Sequence, residues 1–171
     1  MKGDYMKKID IKELKGNAVS MFDDSWCLIT AGTEDSYNTM TASWGAMGEL
    51  WNKDVCFIFI RPQRYTLEFT EREEFFTLSF FAKDYKDALM FCGRNSGRDC
   101  DKAKETGLTP MAIDGSMSFA ESETVVVCKK LFTQDIDPKG FIDKTLDSKN
   151  YPDKDYHKMY VGEIVACYVK E

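Results

Sequence analysis

The chain has 171 residues, 43% hydrophobic and 30% charged, which excludes a disordered or fibrous polymer and suits one folded domain over 1–171. Lys and Arg number 23 against 29 acidic residues, a net charge of −6, and the basic residues are scattered, so no nucleic-acid partner is expected. The longest uncharged apolar run, VCFIFI, is too short to cross a bilayer, so no membrane partner is expected either.

The opening MKGDYMKKIDIKELKG carries basic residues with no apolar segment behind them, which reads as a cytoplasmic protein. SWCLITAG is the first predicted strand, apolar and ended by glycine. The next run, NTMTASWGAMGELW over 38–51, fits neither a core strand, which would carry more Val and Ile, nor a helix, which would not hold so many Thr, Ser and Gly residues. An irregular strand of small, hydroxylated residues leaves backbone N–H and C=O groups approachable, as the polar edge of a flat ring such as a flavin requires. Asn38, Thr39, Thr41 and Ser43 suit that edge, Met40 soft apolar contact, and Trp44 a surface that stacks on or shields the ring. Trp44 and Trp51 equally suit a core or a dimer interface.

In VCFIFIRP, Val55, Phe57 and Phe59 alternate with Cys56, Ile58 and Ile60, so both faces of this strand should be covered. It runs into IRPQRYT, where a strand end, Pro62 and a helix entrance gather Arg61, Arg64, Tyr65 and Thr66. Forked guanidinium groups and helix-entrance N–H groups make a phosphate cradle; two solvated arginines beside a turn read equally well. RYTLEFTERE continues as a helix with Tyr65 and Phe69 on one face, and EFFTLSFF follows as a strand. KDYKDALMFCG predicts a helix with Asp84 as its N-cap and Gly93 as its stop. CGRNSGRDCDK then repeats the basic-loop chemistry with Ser96, Gly97, Arg98 and Lys102, and DKAKETG forms a helix closing at Gly107.

Two further strands are ETVVVCKKLF and MYVGEIVACYVKE. In the second, Ile164, Ala166 and Tyr168 oppose Val165, Cys167 and Val169, which again calls for cover on both sides and fits a barrel with flanking helices. Between them, 135–157 is dense in Asp and Lys and reads as a long surface connection or lid. Its DIDPKG imitates the start of a calcium loop, but the twelfth position is Leu146 where such a loop needs a bidentate glutamate.

A single histidine, His157, excludes multi-histidine metal sites, and no nucleophile elbow, Walker loop or dinucleotide fingerprint is present. Difficult chemistry would therefore fall to a bound cofactor. Of six cysteines, Cys27, Cys56, Cys128 and Cys167 sit in strand-like runs and read as reduced core residues. Cys92 and Cys100 flank the loop GRNSGRD and leave a thiol-based redox reading open.

NTMTASWGAMGELWNKDVCFIFIRPQRYT, SGRDCDKAKETGLTP and HKMYVGEIVACYV, in that order, resemble the flavin reductase-like, FMN-binding split-barrel family that includes flavoredoxin. The resemblance spans about 24–169. It implies a mainly β fold with short helices, a six-stranded Greek-key split β-barrel, and a homodimer with FMN held noncovalently near the subunit interface. Residue by residue, it lays Asn38, Thr39, Met40, Thr41, Ala42, Ser43 and Trp44 along the isoalloxazine. It makes Arg61, Arg64, Tyr65 and Thr66 phosphate or ribityl contacts. Ser96, Gly97, Arg98, Asp99 and Lys102 become a second phosphate-side loop, and His157 falls near the flavin or the nicotinamide. The implied activity passes electrons from NAD(P)H through FMN to a second acceptor, a free flavin or a protein. A non-catalytic FMN electron carrier reduced by a protein partner shares every motif. A pyridoxamine phosphate oxidase-like barrel is a weaker match, because of the paired NTMTASWG and RPQRYT.

Overall fold

A computed structural model describes residues 6–171, so the first five residues of the expected 1–171 domain lie outside the described residues. Among the described residues ten strands occur in chain order: β1 (Met6–Ile9), β2 (Cys27–Thr33), β3 (Ser36–Ala42), β4 (Gly45–Leu50), β5 (Lys53–Ile60), β6 (Phe75–Phe80), β7 (Pro110–Ile113), β8 (Ser116–Phe119), β9 (Thr124–Asp135) and β10 (Lys158–Lys170). Five short helices accompany them: α1 (Ala18–Ser20), α2 (Thr66–Arg72), α3 (Lys86–Arg94), α4 (Lys102–Thr106) and α5 (Lys144–Asn150). The fold is mainly β with short helices, as expected from the sequence.

The main sheet is antiparallel, in the order β3-β2-β6-β9-β10-β5-β4, with β1 also paired to β10. The count corrects the expected six strands: the main sheet has eight, and β7 and β8 form a separate hairpin. The length of β10 explains part of the excess. Its 13 residues pair with β9 on one side, while on the other β5 takes the stretch from Lys158 to Glu163 and β1 takes Cys167 to Lys170.

The path of the sheet does not close. Its two ends, β3 and β4, are consecutive in sequence and joined only by Ser43 and Trp44. The gap between those ends is the split of the barrel. Inside the curl lie Ile29, Ile58, Phe76, Leu78, Val126 and Tyr160, all essentially buried. Each such side chain contributes about 1.5–3 kcal/mol by leaving water. A second core on the other face of β2 joins Leu28, Phe81, Leu89, Cys92, Leu108 and Phe119, which explains why SWCLITAG is apolar on both faces.

Several local expectations change. The 38–51 run is not an irregular strand: β3 pairs with β2 from Ser36 to Ala42 without a break, and β4 is a regular partner of β5. Its hydroxyls are tolerated because they find partners, as in the Thr30–Thr39 pair at 2.8 Å on adjacent strands. The irregularity is confined to Ser43 and Trp44. Asp84 lies in a 3-10 turn, Lys83–Tyr85, and Tyr85 takes the N-cap of α3. Gly93 does not stop α3, which runs on to Arg94 with Asn95 as its C-cap. It is a contact residue instead, since a Cβ there would lie 3.3 Å from Thr41 on β3. Gly107 does end α4, in the left-handed conformation at φ 71°.

The two-sided cover expected for the last strand also fails at one place. The register with β9 shifts between Ile164 and Ala166, so Val165 bulges out and is 41% exposed. Phe57 and Phe59 on β5 are half-buried, whereas Cys56, Ile58 and Ile60 are fully covered. All six cysteines are free.

Candidate functional site

The split opens into a cleft of about 180 Å³. One wall is the end of β3 and the two-residue link: Met40, Thr41, Ala42, Ser43 and Trp44. The opposite wall is the end of β5 and the turn after it, with Phe59, Arg61 and Arg64, and His157 closes the side. Ser43 and Trp44 belong to neither hydrogen-bonded ladder, which ends at Ala42 and restarts at Gly45. Their peptide groups are therefore not consumed by the sheet, and Trp44 is 48% exposed.

Arg61 and Arg64 differ sharply. Arg64 is half-buried and donates one N–H to the Gly93 carbonyl at 2.6 Å, which aims the guanidinium across the cleft. Burial first, and then the charge of Arg61, weakens its hold on the proton. Arg61 is committed to the 135–157 strap: it donates to Asp155 and to the Asn150 carbonyl at 2.9 Å, and its guanidinium lies 5.1 Å from the centre of the Tyr151 ring. Gln63 donates to the same Asp155 oxygen at 2.7 Å.

The strap thus lies against the cleft, as a lid would. Its last residue, His157, is 8% exposed, lies tilted at 48° with its ring centre 5.3 Å from that of Trp44, and shares a 2.8 Å hydrogen bond between its Nδ1 and the Tyr151 hydroxyl. Burial, then Arg61, push the histidine down from 6.5 to about 4, against the pull of Asp155. It is neutral at physiological pH. Below pH 6.5 the unfolded chain takes up a proton that the native imidazole refuses until about pH 4. Stability owed to neutral His157 is therefore complete above pH 6.5 and falls as pH drops toward 4, by about 3 kcal/mol at most. Urea unfolding at pH 7.5 and 4.5 checks this: His157→Gln should lose less stability across that interval than the wild type, and equal losses refute the assignment.

The remaining predicted residues lie outside this cleft. Asn38, Thr39, Tyr65, Gly97 and Lys102 border a second hollow beside the first half of β3. There Asn38 donates to the fully buried Thr66 hydroxyl at 2.7 Å. Lys102, 6% exposed, donates to the carbonyls of Thr39 and Cys92 at 2.7 and 2.8 Å, tying β3 to α3. Arg98 pairs with Glu68 and sits 4.5 Å from the Tyr65 ring centre, and its backbone N–H donates to the Ser96 hydroxyl at 3.2 Å. The Asp99 N–H donates to the Ser96 carbonyl at 3.1 Å, closing that loop. The loop 96–99 and the arginine-bearing turn 61–66 are thus neighbours, joined through Arg98, which meets the Tyr65 ring and donates to the Gln63 carbonyl at 3.5 Å.

A sequence profile of the flavin reductase like domain matches residues 20–171. The chain belongs to that family. Among solved structures, this flavin reductase-like chain is similar to an FMN-binding domain of a flavin reductases-like enzyme from Shewanella baltica OS155. That pair has 14% identity and a TM-score of 0.70, over 98% of this chain and 78% of the other. It is also similar to flavoredoxin from Methanosarcina acetivorans, at 18% identity and TM-score 0.69 over 86% and 69% of the two chains. A third is an FMN-binding protein from Thermus thermophilus with bound p-hydroxybenzaldehyde, at 18% identity and TM-score 0.67 over 97% and 83%. No curated protein matches. At these identities the likeness shows a shared fold, a split barrel.

Sequence reasoning missed four groups at the site of this family member. Phe59 was read as a strand residue, yet it lines the cleft. Tyr151 and Asp155 meet Arg61 from 90 and 94 residues away, and Gln63 joins them through Asp155, contacts which no local motif records. Cys92 is fully buried and its thiol is pushed up to about 11 by burial, so it stays protonated at neutral pH and is a poor nucleophile.

Proposed function

We propose that the cleft binds FMN and that the protein passes electrons from NAD(P)H to a second acceptor, a free flavin or a protein. The observation carrying this reading is the split itself: a cleft whose one wall ends in backbone left out of the sheet, at Ser43 and Trp44, and whose other wall holds a cation, Arg64. Those features fit a molecule with a flat hydrogen-bonding ring at one end and a phosphate at the other. Bound there, FMN would supply reversible one- and two-electron redox chemistry, which no side chain lining the cleft can supply itself.

The chain's own residues bind, orient and exclude water. Ser43 and Trp44 offer peptide N–H and C=O groups to the ring's polar edge, while the Trp44 indole and Phe59 supply apolar contact. Arg64, fixed by Gly93, meets negative charge on the ligand. His157 is neutral and therefore adds a hydrogen-bonding group to the cleft without adding to the positive charge of Arg61 and Arg64. A homodimer belongs to the same reading, supported by the exposed pair Trp51 and Phe132, whose rings meet at 6.0 Å on the barrel surface.

Two measurements on the purified protein test the proposal. FMN fluorescence should be quenched on titration, and the bound flavin should bleach when NADH or NADPH is added without oxygen. Quenching without bleaching by either donor would reduce the protein to an FMN carrier served by a protein partner. Absence of quenching would remove FMN altogether.

A further inference from the structure

We propose that Arg61 and Gln63 form an anion subsite, closed by the carboxylate of Asp155, that takes the diphosphate group of the dinucleotide donor. The choice of donor rests on the function proposed above; the subsite itself rests on four observations. First, Arg61 and Gln63 converge on a single oxygen of Asp155, at 2.5 and 2.7 Å, the arrangement in which they would hold a phosphoryl oxygen. Second, the other carboxylate oxygen, Asp155 Oδ1, is buried without a hydrogen-bond partner. The carboxylate therefore fills the position while leaving half of its own acceptor capacity unmet, and it would recover that hydration on swinging out to water.

Third, Arg61 lines the cleft beside His157 and Trp44, so the subsite is continuous with the space assigned to the ring. Fourth, Asp155 is carried by the strap between α5 and β10, whose remaining grip on Arg61 is one carbonyl, from Asn150, and the face of Tyr151. An incoming anion and Asp155 cannot share the Arg61 fork. Binding of the one and closure of the strap by the other are thus opposed, and each must weaken the other equally. Arg64 is the other cation at this end of the cleft, and Asp155 is the carboxylate that meets Arg61.

The full-length protein tests this with inorganic pyrophosphate, ADP and NADH as probes at low ionic strength. Strap opening is read by trypsin cleavage after Lys144, Lys149 and Lys154, which are exposed on the strap, and binding by calorimetry. Pyrophosphate should speed cleavage of the wild type several-fold. Asp155→Asn should be cleaved rapidly without it and bind it about tenfold tighter, the scale of one lost competing charge-assisted contact. Gln63→Ala, at an exposed position, should lose most of the response. ADP and NADH should act like pyrophosphate; a response to pyrophosphate alone overturns the dinucleotide assignment. Unchanged affinity in Asp155→Asn, or an undiminished response in Gln63→Ala, overturns the subsite. Competition between pyrophosphate and FMN also overturns it, by giving Arg61 to the cofactor's own phosphate. FMN quenching, measured in parallel, separates the two readings: quenching with an inert strap leaves the function standing alone, and a responsive strap without quenching leaves only the anion site.

Discussion

Replacing Lys102 by Met will destabilise the protein by about 2–4 kcal/mol, because two interior carbonyls lose a charged donor and regain nothing. The ammonium is 6% exposed and donates to Thr39 and Cys92 at 2.7 and 2.8 Å. Burial lowers its proton affinity, with Arg64 adding to that and Cys92 opposing it, so the site holds the charge at a cost that only paired acceptors justify. Met keeps the length and the apolar stem, so the loss isolates the two hydrogen bonds. Urea unfolding reads the effect directly. A variant as stable as the wild type would show that β3 and α3 need no such tie. FMN affinity should fall as well, because Thr39 precedes the cleft wall by one residue, but the stability loss should be the larger change.

Arg64→Ala should weaken FMN retention by roughly tenfold to a hundredfold, the worth of one charge-assisted contact to phosphate. The stability of the apoprotein should change by only about 1 kcal/mol, the typical value of the single Gly93 hydrogen bond that is lost. Arg61→Ala makes the informative contrast. Its guanidinium is already engaged by Asp155, Asn150 and Tyr151, so its removal should loosen the strap and cost FMN affinity less than removal of Arg64 does. Fluorescence titration of both variants decides the matter. Equal losses would mean that the arginines act together as one cradle, and no loss in either would take the phosphate away from this turn.

Much of the barrel could be read from the residues because its strands carry local signals. Runs such as VCFIFI and ETVVVC are too short and too β-branched for helices, and Gly107 terminates α4 by a rule that depends only on its missing side chain. The 38–51 run reads as one irregular strand, and the regular β3 and β4 escaped because their Thr, Ser and Gly content argues against regular strands in isolation. The hydroxyl of Thr39 is acceptable only once Thr30 stands opposite it, and that partner is a property of the sheet. The hairpin of β7 and β8 was missed although its turn, Asp114 and Gly115 at φ 39° and 80°, carries a familiar aspartate-glycine pair.

At the site, the basic turn and the 38–44 run were visible as chemistry, and Met40 to Trp44, Arg61, Arg64 and His157 do come together in one cleft. What the chain could not disclose is allegiance. Arg61 and Arg64 look alike in IRPQRYT, yet one is turned toward α3 and the other toward a segment some ninety residues away. Lys102 and Thr66 have the polarity of ligand contacts, and both are buried with hydrogen-bond partners inside the protein, which their places in the sequence do not reveal. Such choices depend on which surfaces long-range pairing brings together, and spacing along the chain is silent on that.

The two-residue bridge from Ala42 to Gly45 also fixes how the protein can breathe. Both rims of the opening are stitched to each other on that side, so the mouth cannot gape there without tearing a β-ladder. Traffic in and out must pass the opposite flank, and its pace should follow the solvent viscosity and the temperature that govern a moving surface segment rather than the far slower fraying of the barrel.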